Sequence, residues 1–135
     1  MTIGLLLITH GETGAHLLAT ARTMLGVCPL ETEALGVSFD CDPDRVLEEA
    51  ERLAARLGNA EDGLLVLTDM YGSTPANIAC RIQMRYRARV VAGLNLPMLV
   101  RVLNYPTLSL DELAEKAVSG GRDGVVVCRL PEGAP

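Results

Sequence analysis

Leu5-Leu6-Leu7-Ile8-Thr9-His10-Gly11 is a short apolar run that stops at a histidine and a glycine. An unbroken apolar run of this length fits a strand buried on both faces, as in a parallel sheet. Such a strand delivers His10 to the carboxyl edge of the sheet, where open α/β folds bind their ligands. A second run, Leu64-Leu65-Val66-Leu67-Thr68, repeats the design. It ends at Asp69 and turns through Met70-Tyr71-Gly72-Ser73-Thr74-Pro75 into a helix. If the two strands are neighbours, Asp69 and that turn face His10.

The segments around these two runs alternate in type. Ala15 to Leu25 has helical spacing, with Leu17, Leu18, Ala21, Met24 and Leu25 on one face and Gly26 as its stop. Leu30 to Val37 reads as a strand nearer the sheet's edge. Asp42-Pro43 is a cap followed by proline, opening a helix whose Val46, Leu47, Ala50, Leu53, Ala54 and Leu57 recur at helical period up to Gly58. Thr74-Pro75 repeats the cap-then-proline signal and predicts a helix from Pro75 to about Arg87. Ala88 to Leu94 is a further strand, and Asn95-Leu96-Pro97 leads into a short helix. Ser109-Leu110-Asp111-Glu112 is a capping box for a helix ending at Gly120-Gly121. Val125 to Leu130 reads as a terminal strand, paired antiparallel or with a partner subunit. Strands alternating with helices predict βαβ units, right-handed crossovers and an open, mainly parallel sheet with helices on both faces.

The chain has 135 residues, enough for one domain over 1–135 with a core that needs no metal or disulfide support. Hydrophobic residues make up 49% and aromatics 3%, so the core must be aliphatic. Acidic residues outnumber basic ones 17 to 12, which disfavours a nucleic-acid or anionic-membrane binder. No stretch approaches the roughly 18 consecutive apolar residues of a membrane span. The N-terminus also lacks the pattern of a signal peptide, so a cytoplasmic protein is expected. Cys28, Cys41, Cys80 and Cys128 are scattered without metal-ligand spacing. They read as reduced thiols, mostly buried, and neither a metal nor a cofactor is expected.

A neutral imidazole is a good nucleophile near pH 7, provided the attacking nitrogen is the one without the proton. A carboxylate such as Asp69 on the far N–H would fix the tautomer and stabilise the positive charge that develops on the ring. Phosphoryl is the favoured electrophile, because the neighbouring turn is built to receive an anion. The helix after it presents free N–H groups and a positive dipole end, Ser73 and Thr74 add hydroxyls, and Gly72 permits close approach. Taken singly, His10 reads equally as a surface histidine, Asp69 as a turn residue, and Ser73 and Thr74 as plain caps. A nucleotide P-loop, a dinucleotide fingerprint and a serine-hydrolase elbow are all missing. The single lysine, Lys116, lies in a late helix, away from any strand end.

Ile8-Thr9-His10-Gly11, Asp69 to Asn77, Val91 to Leu99 and Gly121-Arg122-Asp123-Gly124 together resemble the IIA component of the mannose-class bacterial phosphotransferase system. The resemblance runs collinearly over essentially the whole chain. It implies an open, chiefly parallel α/β sheet whose final antiparallel strand is exchanged across a homodimer. It also implies a phosphotransferase in which His10 takes a phosphoryl group from the phosphohistidine of HPr and hands it to a IIB partner. The ring nitrogen remote from the backbone is then the one phosphorylated, and Asp69 holds the other. Thr74 keeps the hydroxyl of the serine common among relatives, whereas Ser73 replaces a glycine. Thr9 matches the family, with a hydroxyl that serves either to position the ring or simply to end the strand.

Two alternatives share the same histidine. Thr9-His10-Gly11-Glu12-Thr13 looks like the Arg-His-Gly-Glu signature of histidine phosphatases, but Thr9 stands where those enzymes clamp phosphate with arginine. A regulatory IIA-like protein would instead use phosphorylation of His10 to control a partner. These 135 residues hold no fused IIB segment, so the acceptor is expected on a separate chain. The sequence does not name a sugar.

Overall fold

The computed structural model describes residues 2–58 and 61–133. Its elements run β1 (Gly4–His10), α1 (Thr13–Leu25), β2 (Thr32–Val37), α2 (Pro43–Leu57), β3 (Leu64–Thr68), α3 (Thr74–Arg85), β4 (Ala88–Ala92), α4 (Leu96–Leu103) and α5 (Leu110–Asp123). The strands form one parallel sheet in the order β2-β1-β3-β4. The two apolar runs are therefore neighbours, with Leu5 opposite Leu65 and Ile8 opposite Thr68.

Alternation along the central strands divides the core into two layers. Leu5, Leu7, Leu65 and Leu67 pack with Leu18 and Ala21 of α1 and with α4 and α5, through residues such as Leu99 and Leu113. Leu6, Ile8, Leu64 and Val66 pack on the other face with Ala50 and Ala54 of α2 and Ile78 and Ile82 of α3. Helices thus cover both faces, as expected. The chain leaves β1 toward β2 and leaves β3 toward β4. The carboxyl ends of β1 and β3 therefore flank the point where the winding direction reverses, the usual crevice of open α/β sheets.

Local signals explain most boundaries. Asp42 accepts from the Asp44 N–H to cap α2, and Asn95 and Ser109 cap α4 and α5. Gly26 takes a left-handed conformation, φ 74°, and ends α1.

Three expectations need correction. Met24 is exposed, because α1 meets the core along Gly14, Leu18, Ala21 and Leu25, and Met24 lies to the side of that line. Gly120 and Gly121 do not end α5, which continues to Asp123. They are buried against α4, where an added Cβ would come within 2.8 Å of Arg101 Cβ at Gly120 and within 2.8 Å of Met98 Cε at Gly121. The thiols are not mostly buried: Cys28 and Cys41 are half-buried, while Cys80 and Cys128 are exposed. Val125 to Leu130 pair with no backbone of their own chain among the described residues, and an extended segment becomes a strand only against another backbone. Among the described residues the sheet has no antiparallel strand.

Candidate functional site

β1 ends in register with β2, His10 opposite Val37, and the Gly11 N–H donates to the Val37 carbonyl at 2.9 Å. Gly11, at φ 47°, then turns the chain into α1. This leaves the His10 side chain 51% exposed at the carboxyl edge of the sheet. One strand away, the residue after β3 is Asp69, with a side chain only 17% exposed.

A single oxygen joins the two residues. Asp69 Oδ2 accepts from the His10 backbone N–H at 3.1 Å and lies 2.9 Å from His10 Nδ1. A carboxylate can only accept, so Nδ1 carries a proton, and in the neutral imidazole the lone pair is then at Nε2. The half-exposed ring thus has the carboxylate set against its Nδ1 side. The second carboxylate oxygen, Oδ1, is buried without a hydrogen-bond partner.

The turn from β3 to α3 brings Gly72, Ser73 and Thr74 into the loop that carries Asp69. Gly72 adopts φ 80°, a conformation glycine reaches without strain. The cap is Ser73, not Thr74, and the helix starts one residue earlier than the proline suggests. Ser73 Oγ donates to the Met70 carbonyl at 2.6 Å and accepts from the Ala76 N–H at 3.5 Å, so its hydroxyl is committed to the turn. Thr74, at the first helical position, is exposed. Pro75 follows without an N–H and the Ala76 N–H goes to Ser73 Oγ, which leaves the Thr74 N–H as the donor at the start of the helix.

Thr9 is 1% exposed, and its hydroxyl accepts from the Gly14 N–H at 2.8 Å. It anchors the first turn of α1 and makes no hydrogen bond to the His10 ring. His16 is exposed on α1, in a shallow depression with Glu12, Thr13, Leu17 and Thr20. Among the described residues no three His, Cys, Asp or Glu side chains converge as a metal would require. Also among them, no helix is long and apolar enough to cross a membrane.

Sequence reasoning missed the apolar residues of the neighbouring loops. Phe39 in the β2–α2 loop and Met70 and Tyr71 in the β3–α3 loop are 107%, 63% and 88% exposed. The available signal was their rarity: the chain has one phenylalanine and three tyrosines, and two of these four aromatics lie in loops after strands flanking β1.

A family model described as PTS system fructose IIA component matches residues 4–118. The mannose-specific EIIAB component of Escherichia coli strain K12 is 37% identical over 131 residues, covering 93% of this chain and 39% of the relative. The corresponding protein of Shigella flexneri gives the same figures. The chain thus spans about two-fifths of the length of the curated relatives it matches. Among solved structures, the mannose/sorbose specific IIA subunit of the phosphotransferase system from Enterococcus faecalis superposes with a TM-score of 0.89 at 29% identity, covering 99% of this chain and 100% of that one. The phosphotransferase system component EIIA from Streptococcus agalactiae shares the fold, with a TM-score of 0.81 at 23% identity over 93% of this chain and 96% of its own.

Proposed function

The chain belongs to the IIA-component family of the bacterial sugar phosphotransferase system, and on that premise we propose that it is a phosphoryl carrier working through His10. The observation that carries this reading is Asp69 Oδ2 on His10 Nδ1, which leaves Nε2 as the nucleophile. Nε2 attacks the phosphorus of the phosphohistidine of HPr. The new N–P bond forms as the donor's N–P bond breaks, and that electron pair returns to the donor imidazole. His10 retains its Nδ1 proton, so positive charge develops on the ring beside the Asp69 carboxylate. Phosphoryl transfer of this kind needs positioning and charge stabilisation more than covalent help.

Gly72, Ser73 and Thr74 form the phosphate-facing turn in this reading. The α3 N-terminus offers the Thr74 N–H and its positive dipole end, Gly72 brings the backbone close, and the Thr74 hydroxyl is the side-chain donor. Ser73 contributes by shaping the turn. In the second half-reaction the phosphoryl group passes to a IIB component by the same chemistry in reverse. No step calls for a cofactor, and the relay, fed by phosphoenolpyruvate, places the protein in the cytoplasm.

Residues 1–135 act as one IIA domain in this proposal, and a second copy completes the sheet. Among the described residues β4 pairs only with β3, which leaves its outer edge open. A groove along that edge is lined by Val90, Val91, Val118 and Arg122, and Val125 enters it as the chain leaves α5. The segment Val125 to Leu130 is apolar and exposed, with Val127 91% accessible. An open edge and an exposed apolar segment satisfy each other when one copy's segment lies antiparallel on the other's β4.

The test is incubation with phosphoenolpyruvate, enzyme I and HPr, followed by intact-mass measurement before and after acid. An acid-labile phosphoryl group on the wild type and none on His10→Ala is expected. An unmodified wild type with an active cognate HPr would overturn the carrier reading.

A further inference from the structure

Among the described residues two buried side-chain polar atoms lack a hydrogen-bond partner, and they belong to consecutive residues: Thr68 Oγ1 and Asp69 Oδ1. Thr68 is fully buried. It continues the row of Leu64 and Val66 on the α2 and α3 face, and its register partner Ile8 is two residues before His10. A valine would fill this position with the same shape and no polar atom to desolvate. The hydroxyl therefore calls for a reason.

The backbone does not supply one. The Thr68 carbonyl already accepts from Gly93 at 2.9 Å and Leu94 at 3.0 Å, which clamps the end of β3 and leaves only the hydroxyl free to rotate. Asp69 is asymmetric in the complementary sense: Oδ2 receives two N–H groups from His10, and Oδ1 receives none. One unpartnered group is an O–H donor and the other, on an ionised carboxylate, is purely an acceptor.

We infer that Thr68 is a positioning residue, whose hydroxyl donates to Asp69 Oδ1 through one bridging water and so fixes the carboxylate that holds the His10 tautomer. The inference rests on the reading of His10 as the phosphoryl acceptor. Anchoring Oδ1 stops rotation of the carboxylate about Cβ–Cγ and keeps Oδ2 in line with Nδ1. Without that anchor the ring has freer access to the tautomer protonated on Nε2, which has no lone pair for phosphorus. The support is of the kind that partners behind a catalytic histidine generally provide.

The experiment compares Thr68→Val, which removes the hydroxyl at constant shape, with Thr68→Ser, which keeps it. Imidazole 15N spectra of the unphosphorylated proteins report the tautomer, and rapid-quench transfer from phospho-HPr reports the rate. Thr68→Val is expected to raise the Nε2-protonated population at His10 and to slow transfer roughly 3- to 10-fold, the size of one net hydrogen bond. Thr68→Ser should restore both. Wild-type tautomer and rate in Thr68→Val would overturn the inference, as would equal impairment of Val and Ser variants. Should Thr68→Val fail to fold, Thr68→Ala replaces it in the same comparison. The spectra need no phosphoryl donor, so a wild type that accepts no phosphoryl group sinks the carrier reading while the tautomer comparison still decides the role of Thr68.

Discussion

Asp69 Oδ2 takes the backbone and the ring N–H of one histidine, so a single atom fixes where His10 sits and which of its nitrogens is bare. Two substitutions separate these contributions. His10→Ala removes the nucleophile at an exposed strand end, where little packing is lost. Complete loss of phosphoryl acceptance with unchanged circular dichroism is expected, and labelling at the wild-type level would refute the site. Asp69→Asn keeps an acceptor for Nδ1 but loses the charge. Hydrogen bonds to charged groups are worth about 1.5–3 kcal/mol, so the transfer rate should fall on the order of 10- to 100-fold without vanishing. Rapid-quench rates equal to wild type would contradict that. The pairing of His10 with Asp69 was legible because both runs announce buried strands and both end in chemistry-bearing residues. The destination of each hydroxyl was not. Thr9 turns to the Gly14 N–H and Ser73 to the Met70 carbonyl, choices made by neighbouring backbone that a linear sequence does not display.

At the scale of elements, the β3–α3 turn separates capping from anion binding in adjacent residues. Ser73 bonds both sides of the turn, whereas Thr74 stands exposed at the first helical position. Ser73→Ala should therefore lower unfolding free energy by about 1 kcal/mol, the usual cost of a lost cap. Thr74→Ala should change it by less than about 0.5 kcal/mol and yet slow phosphoryl transfer. Urea unfolding alongside transfer rates checks both; a larger stability loss at Thr74 than at Ser73 would reverse the assignment. Thr74-Pro75 imitates a cap followed by proline at the first position, but Pro75 sits at the second position and the preceding serine does the capping. α5 gives a similar lesson. Gly120-Gly121 reads locally as a stop, yet the pair lies inside the helix where α4 approaches too closely for a side chain. Local signals located α2, α4 and the capping box well because those caps depend on residues within one turn. They misplaced features whose cause is a distant element.

Across the whole molecule, the unresolved demand is at one edge of the sheet. Among the described residues the outer edge of β4 is unpaired, and immediately beyond α5 the chain carries four apolar side chains, Val125, Val126, Val127 and Leu130, that are all more than two-thirds exposed. The apolar character of this segment was readable from its composition, but any partner backbone was not, because a strand's register depends on a surface that the strand itself does not encode. The proposed exchange supplies that surface from a second copy. The full chain should sediment at micromolar concentration with twice its 14.4 kDa mass. A variant ending at Gly124 should sediment as a monomer with a similar far-ultraviolet spectrum, because the two core layers do not include residues beyond α5. Val126→Lys with Val127→Lys offers a full-length check, since two buried ammonium groups beside β4 are incompatible with a packed groove. A monomeric full chain would refute the exchange. So would a truncated chain that remains dimeric, because the contact would then lie elsewhere on the surface and the β4 edge would be closed by some other means.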